Sequence, residues 1–428
     1  MTKRTACETP YEVASYLLKR YVFKTTRDTE TIYVYNSKDG IYEDKAGAMI
    51  RAEAQEVLGK SATSYKVNEA ISIIQRKTYV DRTEFDNDPY RINVSNGHVM
   101  LKTHELVPHS PDTLSLSKLN IHYNPKADCP AIKKFLSEIV CPDDVALLQQ
   151  FFGYLLCRHY RYHRAFLLTG EGWNGKTTLL DLMQTFIGKQ SCSSVPLQGL
   201  SGRFDHAQLF GKLANICDDI PSNPVKEAGK LKQLTGESRI MAERKHEHPF
   251  EFTNTAKLIF SCNQIPSADG ADDAYYSRWV IVDFPNTFKR GVNADTDLLS
   301  KLTTKDELSG LLNFALEGVK LLEDAGGFSV EDDHKTARER YLSCLGDSIG
   351  KFVNQVVVFD KDAKTSKKEL YGKYCEFCWS YDMTAKELNA FYRALDDRYH
   401  TKDMEYYAAM PNSERIYILK GIRTKESF

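Results

Sequence analysis

The hydrophobic positions between residues 165 and 290 fall into short apolar runs that alternate with helix-like segments. The apolar runs are AFLLTG, KLANICDDI, AKLIFSCN and RWVIVDF, and the segments between them include TTLLDLMQTFIG and a stretch near residues 225–235. Strands that take turns with helices indicate a mainly parallel sheet that is covered on both faces. We therefore predict an α/β core over residues 165–325, which ends in a helical stretch at about residues 297–323.

The pattern ahead of this core predicts a different unit. The run TIYVYNSKDGIY alternates apolar and polar positions around Asp39-Gly40, a pair that favours a tight hairpin turn. Helical periodicity, short strands and a proline-rich stretch follow. These features predict a small N-terminal α+β domain over residues 1–128 and a helical connector over residues 129–164. The predicted helices lie at about 46–60, 64–76, 130–140 and 143–157, and the predicted strands at 92–94 and 98–101.

The last part of the chain contains two capping boxes that open helices, Ser366-Lys367-Lys368-Glu369 and Thr384-Ala385-Lys386-Glu387. Two strand-like runs, MEYYAAM and RIYILKGI, then flank a turn at residues 411–414. Two helices followed by a β-ribbon predict a winged-helix-like domain over residues 335–428. A small α+β domain that only packs or oligomerises is the alternative.

One close pair of cysteines, Cys375 and Cys378, raises the question of a metal site. A C-x-x-C pair can be half of a zinc site, but no second Cys or His pair follows at a suitable spacing. With Leu370, Tyr371 and Tyr374, the two cysteines form one apolar stripe on a helix. We therefore expect them to pack in a core.

Composition limits the class of protein. With 428 residues, 42% hydrophobic and 27% charged, the chain is long enough for two or three folded domains. A net charge of −1 argues against a surface that binds nucleic acid everywhere, so any such contact is local. The sequence shows neither an apolar signal core near its start nor about 18 uninterrupted apolar residues. We expect no membrane association and a cytoplasmic location.

A glycine-rich loop between the first strand and first helix of the core fits G-x-x-x-x-G-K-[ST] without deviation. Its glycines let the backbone wrap phosphates, and the helix beginning near Lys176 directs its positive end toward them. We predict that it binds ATP, with Lys176 on the β- and γ-phosphates and Thr177 on Mg²⁺. We also expect Lys176 to be exposed, so that its loss leaves the fold intact. The predicted cofactor-binding residues are Gly170, Glu171, Gly172, Trp173, Asn174, Gly175, Lys176, Thr177 and Thr178.

Polar side chains follow the next two apolar strands. KLANICDDI ends in Asp218 and Asp219, the pattern of a Walker B motif, where one carboxylate holds Mg²⁺ and its neighbour polarises water. With Thr177 they form the predicted metal site, although exposed acidic pairs at strand ends are common. AKLIFSCN ends in Asn263, which an adjacent strand would bring near the γ-phosphate. Capping of a turn is the alternative for Asn263.

Basic residues supply three further candidates. Arg278 is a candidate arginine finger, often supplied by a neighbouring subunit, and a surface salt bridge is its alternative. The segment ESRIMAERKHEHPFEFTN predicts a β-hairpin with Arg244, Lys245 and His246 at its tip. This tip either follows a phosphate backbone or forms only a solvated turn. For the run RHYRYHR at residues 158–164, we favour a connector beside the nucleotide site over stacking on nucleic acid.

The order of these features resembles that of superfamily 3 helicases. The loop with Asn174 before its Gly-Lys, the acidic strand end, the basic hairpin, Asn263 and Arg278 follow within about 110 residues. The sequence is most similar to the phage, plasmid and poxvirus primase-helicase group, whose pattern includes a stretch like LKQLTG at residues 231–236. The resemblance extends upstream to YVYNSKDGIY, NVSNGHVML and LLQQFFGYLL, and downstream to the predicted winged helix.

The resemblance implies an AAA+-type P-loop core, a ring of six subunits with ATP at the interfaces, and translocation along single-stranded DNA. It implies that Asn263 is sensor 1, that Arg278 acts in trans, and that the hairpin tip contacts DNA. Expected partners are single-stranded DNA, forked duplex DNA, further copies of the chain, and a primase or polymerase. The implied catalytic residues are Lys176, Asp218, Asp219, Asn263 and Arg278.

Two departures from the group matter. Many relatives carry Glu where this chain has Asp219, so either carboxylate could orient the water. Relatives also often carry a primase domain ahead of the helicase, but residues 1–150 contain no recognisable carboxylate constellation for nucleotidyl transfer, so priming is not predicted. The leading prediction is an ATP-driven, ring-forming replicative DNA helicase of a phage, virus or plasmid. The alternatives are an ATPase that acts as a DNA-binding initiator or regulator without unwinding, and a small-molecule kinase.

Overall fold

The computed structural model describes residues 7–170, 172–245, 248–289, 294–329, 341, 348–380, 385–399, 401, 405–409 and 415–425. It is a mixed α/β structure built on a five-stranded parallel sheet. No helix within these ranges is long and apolar enough to cross a membrane. Glu171, His246, Thr384 and the turn at residues 411–414 lie outside the described residues.

The N-terminal part contains a four-stranded sheet and three helices. In chain order its elements are α1 Pro10–Arg20, β1 Phe23–Thr26, β2 Ile32–Asn36, β3 Ile41–Glu43, α2 Ala46–Leu58, α3 Ser64–Thr78 and β4 Tyr79–Val80. α1 begins with a capping box between Thr9 and Glu12, and with Pro10 at its first position. β2 and β3 pair antiparallel around Asp39-Gly40, and both predicted helices are present. The predicted hairpin and helices are therefore confirmed.

A second, three-stranded antiparallel sheet follows. Its strands are β5 Arg91–Val94, β6 Gly97–Met100 and β7 Leu106–Val107. Ile92, Val94 and Val99 are fully buried in the same hydrophobic cluster as the central sheet. The strands predicted at 92–94 and 98–101 are confirmed, and they pack with the core that follows them in sequence.

Two helices lead into the central sheet, α4 Pro130–Ile139 and α5 Pro142–Leu156, as predicted. The next elements are β8 Ala165–Thr169, α6 Lys176–Ile187, β9 Cys192–Ser193, α7 Arg203–Leu209, β10 Ala214–Cys217, α8 Ala228–Leu234, β11 Arg239–Ala242, β12 Phe250–Thr253, β13 Lys257–Cys262, α9 Asp273–Tyr276 and β14 Trp279–Asp283. The central sheet has the order β14-β8-β13-β10-β9, and every pairing in it is parallel. β8 and β13 are buried at every position, which explains their continuous apolar runs.

The parallel arrangement determines where the site can form. Because all five strands run in one direction, their carboxyl ends meet at a single edge of the sheet. β11 and β12 form the predicted antiparallel hairpin between β10 and β13, with Ile240 and Phe252 buried and Met241 exposed. The helical stretch after the sheet consists of α10 Leu298–Leu302 and α11 Lys305–Ala325, and α11 packs against α5.

The C-terminal part forms its own hydrophobic cluster. Its elements are α12 Ser348–Val356, β15 Val357–Ser366, α13 Lys367–Ser380, α14 Leu388–Tyr399, β16 Glu405–Ala409 and β17 Arg415–Thr424. The strand predictions for the last two runs are confirmed, and the Ser366 hydroxyl caps α13 by accepting from the Glu369 N–H at 3.1 Å. The second predicted helix starts at Leu388 rather than near residue 384, because the backbone of Lys386 bonds to α13 instead: its N–H donates to the Tyr374 hydroxyl at 3.1 Å and its carbonyl accepts from the Tyr371 hydroxyl at 2.9 Å. β15, which pairs with β17, was not predicted.

The cysteine pair lies on α13 as expected. Cys378 is 1% exposed and Cys375 is half-buried, and both pack in the C-terminal hydrophobic cluster with Leu370 and Tyr374. The prediction of core packing is confirmed. On the central sheet, Cys262 is buried, whereas Cys192 and Cys217 are half-buried.

Candidate functional site

The loop between β8 and α6 is tightly constrained. Gly170 has φ +152°, and a Cβ there would lie 2.3 Å from Asn174 Nδ2. Gly175 has φ +91°, and its Cβ would lie 2.7 Å from Ile139 Cγ2 of α4. A side chain at either position would therefore displace the loop or its neighbour. This explains the two glycines at the start and end of the motif.

Lys176 is held at the first turn of α6. Its Nζ donates to Gly170 O at 2.5 Å, to Asn174 Oδ1 at 3.2 Å and to Asn263 Oδ1 at 3.3 Å. These acceptors are neutral oxygens, and the side chain is only 6% exposed. The expectation of an exposed lysine is therefore wrong, because the loop folds over it. Burial lowers the pKa of Lys176, and the charges of Asp218 and Asp219 partly oppose that shift.

Asp218 is linked to the first turn of α6 and to β13. Its Oδ2 accepts from the Thr177 hydroxyl at 2.9 Å, and its Oδ1 accepts from the Ser261 hydroxyl. The Asp219 N–H donates to both Asp218 Oδ1 and Ser261 Oγ at 3.0 Å. Asp219 has φ +50°, an unusual conformation for a residue other than glycine, and these bonds help to hold it.

Ser261 is a site residue that the sequence analysis missed. It is 1% exposed on β13, two positions before Asn263, and it is the contact that joins this strand to both aspartates. A lone hydroxyl within the apolar run KLIFSC was the available signal.

These side chains surround one pocket of about 470 Å³ at the carboxyl edge of the sheet. Its lining residues are Gly172, Trp173, Asn174, Gly175, Lys176, Thr177, Thr178, Asp218, Asp219, Ser261 and Asn263. A buried cation with neutral partners suits an anion such as a phosphate. The hydroxyl and carboxylate oxygens of Thr177 and Asp218 are the hard ligands that Mg²⁺ prefers. The residues present thus fit a phosphate group and a magnesium ion side by side.

Arg278 does not join this pocket. It precedes β14, which pairs with β8 from Trp279↔Ala165 to Asp283↔Thr169, so it lies at the amino edge of the sheet. The four residue steps from Trp279 to Asp283 along β14 separate the two edges by about 13 Å. Its neighbour there is Arg164, whose guanidinium donates to Ser277 O. Burial lowers the pKa of Arg278, and its Nε makes no hydrogen bond to any described residue.

The tip of the β11–β12 hairpin also lies away from the pocket. Arg244 is half-buried and Lys245 is exposed. Both line a groove of about 760 Å³ that also includes Tyr33 and Asp44 of the N-terminal part and Phe204 of α7. The tip therefore borders the N-terminal part of the chain.

The run at residues 158–164 is packed into the protein. Arg158 forms an ion pair of 3.1 Å with Asp86, and its side chain is 4% exposed. The fully buried Tyr160 hydroxyl donates to Ala256 O and accepts from the Leu258 N–H, both at 2.8 Å. Arg158 and Tyr160 are thus occupied within the fold, which supports the connector interpretation. The run precedes β8 and therefore lies at the amino edge of the sheet, away from the phosphate pocket, so its expected place beside the nucleotide site is wrong.

Two known families match parts of the chain. Residues 14–141 match a family described as D5 N terminal like, and residues 168–278 match a family of unknown function, DUF5906. The second match extends from the end of β8 to Arg278 and so includes the whole pocket.

Curated viral proteins are similar over part of their length. The chain is 28% identical over 194 residues to "Putative helicase 121R" of Invertebrate iridescent virus 3. It is 30% identical over 159 residues to "Putative helicase 022R" of Frog virus 3. The matches cover 40% and 31% of this chain, but only 20% and 16% of those relatives. The resemblance to the phage and viral primase-helicase group is confirmed.

The fold of this primase-helicase-like chain matches solved structures. The A form apo structure of the NrS-1 C-terminal region aligns over 97% of this chain and 100% of that one, with a TM-score of 0.52 and 14% identity. A second structure of the same region aligns over 96% of this chain and 99% of that one, with a TM-score of 0.50 and 13% identity. At this identity the likeness concerns the fold alone.

Proposed function

We propose that the chain is an ATP-driven, ring-forming DNA helicase that translocates on single-stranded DNA during replication of a phage, virus or plasmid. The proposal rests on one observation: a single pocket at the carboxyl edge of a parallel sheet is lined by Lys176, Thr177, Asp218 and Asn263. The names of the viral relatives agree with a helicase. The strand–loop–helix geometry and the parallel sheet support an AAA+-type P-loop core.

The residues of the pocket have separate roles in the proposed hydrolysis. The loop N–H groups and Lys176 bind the β- and γ-phosphates and stabilise the charge that spreads over them. Thr177 and Asp218 would hold Mg²⁺, which would neutralise phosphate charge. Since Asp218 already accepts from two hydroxyls, we propose that Asp219 and Asn263 orient the attacking water.

Arg278 is proposed to act on the nucleotide of a neighbouring subunit. It lies at the edge of the sheet away from its own loop, so it is too distant to reach its own γ-phosphate. A closed ring, which we propose to be a hexamer, would bring this edge to the loop of the next copy. The Arg244–His246 tip, on a separate hairpin, is proposed to contact single-stranded DNA, and a primase or polymerase is a further proposed partner.

The proposed domain division remains residues 1–128, 129–164, 165–325 and 335–428. Separate hydrophobic clusters support distinct N-terminal and C-terminal parts. One further cluster joins Ile92, Val99 and Tyr123 to the connector helices and the central sheet, so packing does not mark the boundaries at residues 128 and 164. Three helices with a three-stranded antiparallel sheet support a winged-helix-like C-terminal domain. We propose that the protein acts in the cytoplasm, in that of the host cell if it is viral.

The test is ATP hydrolysis with and without single-stranded DNA, together with unwinding of a forked duplex. We expect DNA to stimulate hydrolysis and ATP to be required for unwinding. Hydrolysis that does not respond to DNA, together with no unwinding, would refute the helicase proposal. Replacing both Arg244 and Lys245 by alanine should reduce the stimulation while leaving basal hydrolysis intact, because neither residue touches the phosphate pocket.

A DNA-binding initiator or regulator without unwinding activity is the second candidate. The observation that favours it is a pair of exposed lysines on the C-terminal ribbon, Lys364 and Lys420, which face each other across β15 and β17. Sequence-specific duplex binding without ATP-dependent movement along DNA would favour this function over the first.

A further inference from the structure

Two arginines lie side by side at the amino edge of the central sheet. Arg164 directly precedes β8 and Arg278 directly precedes β14, and the pairing of these strands begins at Trp279↔Ala165. Both arginines are half-buried, and burial together with the charge of Arg278 lowers the pKa of Arg164. Two like charges at close range disfavour one another, and more so away from water. Stability alone therefore does not account for the pair.

Arg164 and the residue after it hold the backbone that carries Arg278. The Arg164 guanidinium donates to Ser277 O, and the Ala165 N–H donates to Arg278 O at 2.7 Å. Ser277 caps the end of α9, where carbonyl groups lack partners within the helix, so the bond from Arg164 satisfies one of them. The Arg278 N–H in turn donates to Tyr275 O at 3.1 Å. The peptide groups on both sides of Arg278 are thus fixed to neighbouring elements.

The guanidinium of Arg278 is less engaged than its backbone. Its Nε makes no hydrogen bond to any residue within the described ranges. Burial lowers the pKa of Arg278 and the charge of Asp272 partly opposes that shift, but Asp272 already has other partners. Its carboxylate lies 2.7 Å from Lys232 Nζ and accepts from the Tyr275 N–H at 2.9 Å. The fold therefore holds the backbone of Arg278 and leaves a side-chain donor for a ligand.

We propose that Arg164 is a positioning residue for Arg278, and that both belong to the part of each subunit that completes the nucleotide site of its neighbour. The inference rests on the proposed function, in which Arg278 acts on that nucleotide in trans. An arginine that stabilises transition-state charge must be placed closely, because a displacement of about 1 Å can cost about 100-fold in rate. The bond from Arg164 to Ser277 O limits such a displacement.

The first test is steady-state ATP hydrolysis by Arg164→Ala, by Arg278→Ala and by the double variant. We expect Arg164→Ala to lower kcat by about 10–100-fold and to leave equilibrium binding of ATP unchanged, because its own phosphate loop is intact. The double variant should be no slower than Arg278→Ala, since Arg164 then has nothing to position. Losses that multiply in the double variant would overturn the proposal.

Arg161→Ala is the matched control. Arg161 belongs to the same run as Arg164, but it is exposed and does not line the phosphate pocket. This variant should hydrolyse ATP as the wild type does. A loss equal to that of Arg164→Ala would mean that any lost charge in the run has this effect, and would overturn the specific role of Arg164.

Mixed rings identify the half of the site to which Arg164 belongs. When two inactive variants are mixed equally, about a quarter of the interfaces combine an intact loop with an intact arginine side. Arg164→Ala mixed with Lys176→Ala should therefore recover hydrolysis, whereas Arg164→Ala mixed with Arg278→Ala should not. A role only in supporting its own phosphate loop would give the reverse pattern, and a general folding defect would give no recovery in either mixture. Each of these two results would overturn the proposal.

Arg164→Lys keeps a positive charge and a donor, so it replaces Arg164→Ala if the alanine variant does not bind ATP. It should give the same pattern in mixed rings with a smaller loss in kcat. Loss of ATP binding in both variants would show a structural role and overturn the proposal.

The mixture of Lys176→Ala with Arg278→Ala separates this inference from the proposed function. If that mixture recovers hydrolysis but the Arg164 variants do not follow the expected pattern, only the positioning role fails. If that mixture does not recover, the action of Arg278 in trans fails, and the role of Arg164 fails with it.

Discussion

Replacing Lys176 by alanine should greatly reduce ATP hydrolysis while changing the free energy of unfolding only slightly. The lysine is 94% buried, and its Nζ contacts Gly170 O, Asn174 Oδ1 and Asn263 Oδ1. Removing it abolishes three hydrogen bonds but also removes a buried cation whose pKa the fold lowers. Since the pocket is open to water, which can satisfy the three oxygens, these effects largely cancel. We expect the free energy of unfolding to change by no more than about 1 kcal/mol.

The effect on hydrolysis should be much larger. In the proposed complex, Lys176 makes charge-assisted hydrogen bonds to the β- and γ-phosphates, each worth about 1.5–3 kcal/mol. Loss of two such bonds raises the barrier by about 3–6 kcal/mol, which corresponds to a decrease of about 10²–10⁴-fold in kcat/KM. The remaining loop N–H groups would still bind phosphate weakly.

The assay is steady-state release of phosphate from ATP, with urea unfolding of the same preparations. Lys189→Ala is the matched control, because Lys189 is exposed just beyond the end of α6 and does not line the pocket. The control should hydrolyse ATP as the wild type does. If Lys176→Ala kept more than about a tenth of wild-type kcat/KM, the loop would not be the hydrolytic site.

Three further predictions follow from the geometry. Ser261→Ala should raise the Mg²⁺ concentration needed for half-maximal hydrolysis by about 10–100-fold, because it removes the hydroxyl that positions Asp218; an unchanged magnesium titration would contradict this. Arg278→Ala and Lys176→Ala should each be inactive alone. Rings that mix the two variants should recover hydrolysis, because the Arg278→Ala subunit supplies an intact loop and the Lys176→Ala subunit supplies the arginine. No recovery in mixed rings would exclude action in trans. Burial lowers the pKa of His98 from 6.5 to about 4, so the folded protein favours the neutral ring, and stability is lost as the pH falls from about 6.5 toward 4. Between pH 7 and pH 5, urea unfolding of His98→Phe should therefore lose about 1–2 kcal/mol less than the wild type, and an equal loss in both proteins would remove His98 as the cause.

Local patterns predicted most elements of the fold. The alternation around Asp39-Gly40 predicted the β2–β3 hairpin, and the apolar runs of the core predicted β8, β10, β13 and β14. These predictions succeeded because strand and helix periods are set by neighbouring residues. β15 was missed because its central residues, FDKDAK, interrupt the apolar alternation. Its strand conformation depends on antiparallel pairing with β17, which its own sequence does not indicate.

The candidate site was predictable in its members but not in all of its contacts. Thr177, Asp218 and Asn263 follow strands or open a helix, and such positions converge when the sheet is parallel. Ser261 was missed because one hydroxyl in an apolar strand is ordinary until a partner strand brings carboxylates beside it. Nothing in the sequence indicated that Trp173 would be 73% exposed at the phosphate pocket.

The phosphate loop, the strand ends that carry its partners, and their order along the chain were all predictable from the sequence, because each depends on residues close together in the chain. The burial of Lys176 under its own loop and the position of Arg278 at the far edge of the sheet became apparent in the folded structure alone. Both depend on the spatial order of the strands, in which β8 lies between β13 and β14 although nearly 90 residues separate β8 from β13 in sequence. Such distant pairings arise from packing of the whole core, which no local pattern contains.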